Sequence, residues 1–66
     1  MYITTQYQEV VPIACVRTYY KCVMGSGKNG EELLGAYDTD LRVREVVSEI
    51  RSLLPMGKGI YVMPER

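Results

Sequence analysis

Two cysteines, one glycine–lysine cluster and three pairs of carboxylates are the residues of this chain that could do chemistry. Cys15 and Cys22 lie seven positions apart, and the sequence contains no histidine. Two thiolates cannot complete a tetrahedral zinc site without carboxylates or a second subunit. The spacing is not the C-x-x-C of a thioredoxin-type redox pair. A nucleophile would also lack its usual imidazole base. The expectation is therefore no catalytic residue, no metal site and no cofactor, with both cysteines reduced and buried as small hydrophobes.

Gly25-Ser26-Gly27-Lys28 invites comparison with a phosphate-binding loop. A Walker loop needs G-x-x-x-x-G-K-[ST] between a strand and a helix. Here Cys22 stands where the first glycine belongs, Asn29 follows Lys28, and the next segment reads as a strand. The helix N-terminus that would bind phosphate is missing. A hairpin turn is the better reading, whose backbone amides could still form a weak anion nest beside Lys28. Among the carboxylates, Glu31 and Glu32 point to opposite faces of a strand. Glu45 and Glu49 share a solvated helix stripe, and Asp38 and Asp40 bracket a helix start. Solubility and capping account for all three pairs.

The elements that must position these residues fit in one domain, residues 1–66. With 66 residues, such a chain buries only about 60% of its unfolded surface. Its core rarely supplies more than roughly 3–5 kcal/mol. Eight basic and eight acidic residues balance, which gives no support for the basic surface of a duplex-binding protein. No apolar run approaches the roughly 20 residues of a membrane-spanning helix. The first residues, Met1 to Thr5, lack the basic and apolar regions of a signal peptide. A cytoplasmic location is expected, with no membrane association.

Residues 39–54 carry the clearest pattern. Val43, Val46, Val47, Ile50, Leu53 and Leu54 fall on one face of a 3.6-residue helix, and Arg42, Arg44, Glu45, Glu49 and Arg51 take the other positions. Thr39 is the expected N-cap, with Asp38 competing. Pro55 ends the helix by biasing Leu54 away from helical backbone. The rest reads as strands: residues 2–6, 31–37 and 60–63, with residues 10–24 rich in Val, Ile, Tyr and Cys. A turn near Arg17-Thr18-Tyr19 divides that long stretch into strands 12–17 and 19–24; one continuous bent strand is the alternative. With the turn centred on Thr18-Tyr19, Cys15 and Cys22 would oppose one another about 4.5–5.5 Å apart, within disulfide range. Gly25 to Gly30 forms the next turn, and Gly35 suggests a bulge or a close backbone approach. A further turn spans residues 55–59. The expected fold class is α+β: one small antiparallel sheet of four to five strands, in the order β-β-β-β-α-β, with one helix on one face.

One helix leaves much of such a sheet uncovered. The only aromatics are Tyr2, Tyr7, Tyr19, Tyr20, Tyr37 and Tyr61, rings with an apolar body and a hydroxyl that suit either strands or an interface. A homo-oligomer follows as an expectation, most simply a dimer formed by edge pairing through residues 2–6 or 60–63, or by face-to-face sheet packing.

Leu34-Gly35-Ala36-Tyr37-Asp38-Thr39, Arg42, Glu45-Val46-Val47-Ser48-Glu49-Ile50 and Tyr61-Val62-Met63-Pro64-Glu65 together resemble a group of short uncharacterised proteins of Gram-positive bacteria and their phages or prophages. Their pattern is L-G-x-Y-x-T-x-x-R-A-x-E-V-x-x-E-I followed by Y-x-M-P-E. The likeness covers residues 34–65, with Val43 in place of the usual alanine. It implies a small accessory protein of phage origin and supports no enzyme assignment.

The leading functional expectation is a non-catalytic binding module. It would occupy a host protein, in the manner of a counter-defence protein, or sequester a small anionic ligand. Arg17, Tyr19, Tyr20 and Lys28 are the candidate contacts for an anionic, ring-bearing molecule, because cations neutralise charge and tyrosine stacks. A nucleic-acid-binding sheet using the same residues is the alternative, opposed by the zero net charge. A small hydrolase built on Asp38 and Asp40 or on a cysteine is a third.

Overall fold

A computed structural model describes residues 1–57 and 59–66. Six strands and one helix follow in the order β1 (Tyr2–Thr4), β2 (Val10–Pro12), β3 (Cys15–Tyr19), β4 (Cys22–Gly27), β5 (Gly30–Ala36), α1 (Asp40–Leu53) and β6 (Ile60–Val62). The α+β class holds. The single sheet does not: the strands form two three-stranded sheets, β2-β1-β6 and β3-β4-β5. The second is wholly antiparallel, whereas β6 joins β1 in parallel.

The division occurs between Ile13 and Ala14. The Ile13 N–H donates to Met1 in the first sheet, and the Ala14 N–H donates to Ser26 in the second, each at 2.8 Å. Glycine makes this corner possible. A Cβ on Gly27 would stand 2.3 Å from the Pro12 carbonyl oxygen, and one on Gly25 would stand 2.8 Å from the Cδ1 atoms of Ile13 and Leu34. Gly25, Ser26 and Gly27 therefore belong to β4, and the expected Gly25–Gly30 turn contracts to Lys28 and Asn29. Gly25 and Gly27 serve close packing, not reversal.

The preceding hairpin turn also moves. It lies at Tyr20 and Lys21, with Tyr19 opposite Cys22. Cys15 consequently faces Ser26 across the ladder, and the two cysteines are not opposed. Cys15 is exposed and Cys22 half-buried, both as free thiols, against the expectation of two buried side chains. Both point outward because the inward positions of these strands go to Val16 and Val23.

The helix forms as its periodicity requires. Thr39 caps it, its hydroxyl accepting from the Arg42 N–H at 3.1 Å. Val43, Val46, Val47 and Ile50 are buried against β3 and β4, while Leu53 stays half-exposed. Leu54 keeps right-handed helical backbone despite preceding Pro55. The chain runs on through one 3-10 turn, Leu54–Met56, and Gly57 closes it at φ 65°. Proline at the start of a 3-10 turn loses no hydrogen bond there, which offsets its steric bias. Of the expected turn at 55–59, Lys58 lies outside the described residues. Both sheets and the helix enclose one core, with Ile3, Val11 and Met63 from the first sheet and its continuation meeting Val16, Val23 and Leu34 from the second.

Candidate functional site

The outward face of β3-β4-β5 follows from the strand alternation. Arg17, Met24 and Leu33 are cross-strand partners, and Tyr19 pairs with Cys22. Val16 and Val23 point the other way into the core. α1 packs on that inner side, so among the described residues no element covers this outer face. Leu33 and Tyr19 are exposed on it.

Arg17, Tyr19 and Tyr20 come together at the hairpin end. The Arg17 guanidinium lies 5.4 Å from the Tyr19 ring centroid. The Tyr19 and Tyr20 rings meet edge to face, with centroids 4.8 Å apart and planes at 82°. Arg17 also spans β4 to grip Glu31, Nε to Oε2 at 2.8 Å and Nη2 to Oε1 at 2.9 Å. That hydrogen bonding holds the Glu31 carboxyl below its ordinary pKa and raises the guanidinium. The fork is thus already occupied by a carboxylate.

Lys28 is not part of this cluster. It sits at the opposite end of β4, a strand of six residues, which at the usual rise is about 20 Å long. There it lines an open cleft of about 260 Å³ with Met1, Tyr2, Pro12, Ile13, Ala14 and Gly27. Tyr20 borders a second cleft of about 190 Å³ with Thr18, Asp40, Val43 and Arg44. The sequence reading missed these neighbours, and it missed Glu31 as the partner of Arg17. Both depend on a register set by the two-residue turn, and that turn carries none of the Gly, Asn or Asp signals that would have located it.

Tyr20 is held at φ 54° with its side chain 81% exposed. Positive φ is uncommon for a large side chain and costs free energy that a glycine would not. The ring stays largely in solvent, with the edge-to-face contact to Tyr19 as its packing.

The residues of the 34–65 pattern assemble elsewhere, and they are structural. The Tyr37 hydroxyl donates to the Pro64 carbonyl at 2.7 Å. The Tyr61 hydroxyl donates to Glu49 at 2.5 Å. Arg42 Nε donates to the Arg66 carbonyl at 2.9 Å. Met63 is buried. These contacts strap the C-terminal segment to the helix and to Tyr37 just past the end of β5.

Comparison with family models, curated proteins and solved structures found no match. Among the described residues no helix is long and apolar enough to cross a membrane, and no three Cys, Asp or Glu side chains are grouped as a metal would need.

Proposed function

We propose that this chain is a non-catalytic binding module that docks on another protein through the Arg17–Tyr19–Tyr20 tip and the adjoining outer face of β3-β4-β5. The observation that carries the reading is Tyr20, kept at unfavourable backbone with its ring in solvent. Strain retained at an exposed side chain points to use of that side chain. Tyrosine and arginine are also the residue types that dominate binding energy at protein interfaces. The partner class that fits the 34–65 resemblance is a host protein bound by a phage-type accessory protein.

Sequestration of a small anionic ligand is less well supported than at the sequence level. Arg17 is paired with Glu31, Lys28 is remote, and both clefts fall below the roughly 300–1,000 Å³ of ordinary ligand pockets.

The test is co-purification from a bacterial lysate with wild type and Tyr20→Gly. Glycine relieves the positive φ, so the variant folds at least as stably. A stoichiometric protein held by wild type and lost from Tyr20→Gly supports the reading. A nucleotide-like molecule, salt-sensitive nucleic acid, or a partner retained equally by the variant overturns it.

A further inference from the structure

We propose that the free edge of β6 is a self-association surface, where a second copy of the chain pairs β6 with β6 antiparallel about a two-fold axis. Three of the four sheet edges are blunted. At β3, Arg51 Nη2 donates to the Val16 carbonyl at 3.2 Å. At β5, the Gln6 N–H donates to Leu34, and the Gln6 side chain bonds both the N–H and the C=O of Ala36. At β2, Pro12 faces the edge without an N–H to offer, which leaves Val10 alone to pair there. Such devices are how proteins prevent unwanted strand pairing.

β6 has none of them among the described residues. Gly59 and Met63, which flank it, bond Tyr2 and Thr4 of β1, so Tyr61 between them faces β1 as well. By strand alternation the N–H and C=O of Ile60 and Val62 point to the open side. Their side chains are 61% and 65% exposed and share the outer face with exposed Tyr2 and Val10. The strand is only three residues long, but it leaves four backbone groups and two apolar side chains open to a partner strand.

A second copy is the occupant that fits. A two-fold axis through Tyr61 sets Ile60 opposite Val62 of the other copy and Val62 opposite its Ile60. All four outward backbone groups are then satisfied, and two pairs of β-branched side chains meet. No strand of this sheet carries a charged residue, and the formal net charge is zero, so two copies meet without repulsion. Pairing along this three-residue edge covers chiefly Ile60 and Val62, well below the roughly 600–1,000 Å² per copy of a specific interface, so the dimer is a weak one. Residues 2–6 are excluded as the pairing edge, because β1 is the central strand.

The surface lies apart from the Tyr19–Tyr20 tip, so the two proposals fail independently. Sedimentation equilibrium of the purified chain from about 10 µM to 1 mM tests it, with Val62→Lys and Ile60→Lys as variants. Both positions are exposed, so the variants keep the parent melting temperature and circular dichroism. The expected result is a wild-type dimer whose association weakens at least tenfold in each variant and is unchanged in Tyr20→Gly. A 7.5 kDa species at every concentration, with or without capture of a foreign strand at β6, overturns the proposal. So does a dimer that survives both lysines.

Discussion

The Gln6 side chain stands directly over Gly35, where a Cβ would come within 2.8 Å of its Cδ. From there its Oε1 accepts from the Ala36 N–H at 2.8 Å, and its Nε2 donates to Ala36 at 3.2 Å and to Pro64 at 2.9 Å. The amide acts as a piece of strand, joining the end of β1 to the edge of β5 and to the C-terminal strap. The bulge beside it, where Val23 pairs Gly35 and Met24 pairs Leu33, leaves Leu34 free to point into the core.

Gln6→Ala removes these bonds together. The Ala36 groups are exposed and can turn to water, while the Pro64 carbonyl is partly buried, so the loss is about 1 kcal/mol. Urea denaturation is expected to show a lowered midpoint with an unchanged slope. An unshifted midpoint would show that water replaces the amide at no cost.

Val47→Asp places a carboxylate where the structure leaves 3% exposure. The buried cluster around it is hydrophobic among the described residues. The penalty of several kcal/mol rivals the roughly 3–10 kcal/mol stability expected for this size. Loss of a cooperative thermal transition is the expected outcome; a parent-like melt would mean that the helix packs through another face.

Gly27→Ala and Gly25→Ala separate two kinds of close contact. At Gly27 the obstacle is the Pro12 backbone, and at Gly25 it is the ends of two flexible side chains. Overpacking against backbone is expected to cost the larger share of about 1–3 kcal/mol. Comparing the two melting temperatures checks the order, and equal values would place the corner elsewhere.

The alkaline limb of stability depends on Tyr61. Burial first, then its hydrogen bond to Glu49, raises its pKa well above the ordinary 10.0. Burial raises Tyr37 as well. A folded-state pKa above the unfolded one gives stability that is complete below pH 10 and is lost as pH climbs toward the folded value. Tyr61→Phe is expected to flatten part of the decline above pH 10, leaving the share due to Tyr37. An unchanged slope in alkaline denaturation would contradict this.

The cysteines are expected to titrate as two free thiols in freshly purified protein, with Cys15 labelled faster because it is exposed and Cys22 is half-buried. Cys15→Ser should leave one slow thiol. An intramolecular disulfide would require the cross-strand register to slip.

Some of this molecule is local, and that part was legible in the sequence. The spacing of Val43, Val46, Val47 and Ile50 determined the helix and its buried face, because a 3.6-residue period leaves only one apolar stripe. Thr39 determined where the helix starts. Gly35 suggested a bulge or a close approach, and the structure has both there.

Register and partition were decided only in three dimensions. The Tyr20–Lys21 turn has no turn residues of its own, so packing of Val16 and Val23 against the helix fixes it. That register separates Cys15 from Cys22 and carries Arg17 to Glu31. The glycines at 25 and 27 look the same whether they turn a chain or let another strand cross over them. Only the arrival of Pro12 and Ile13 above β4 distinguishes the two, and with it one sheet becomes two. Pairing between distant strands depends on which surfaces fill the same space, and that is a property of the assembled core and not of any window of sequence.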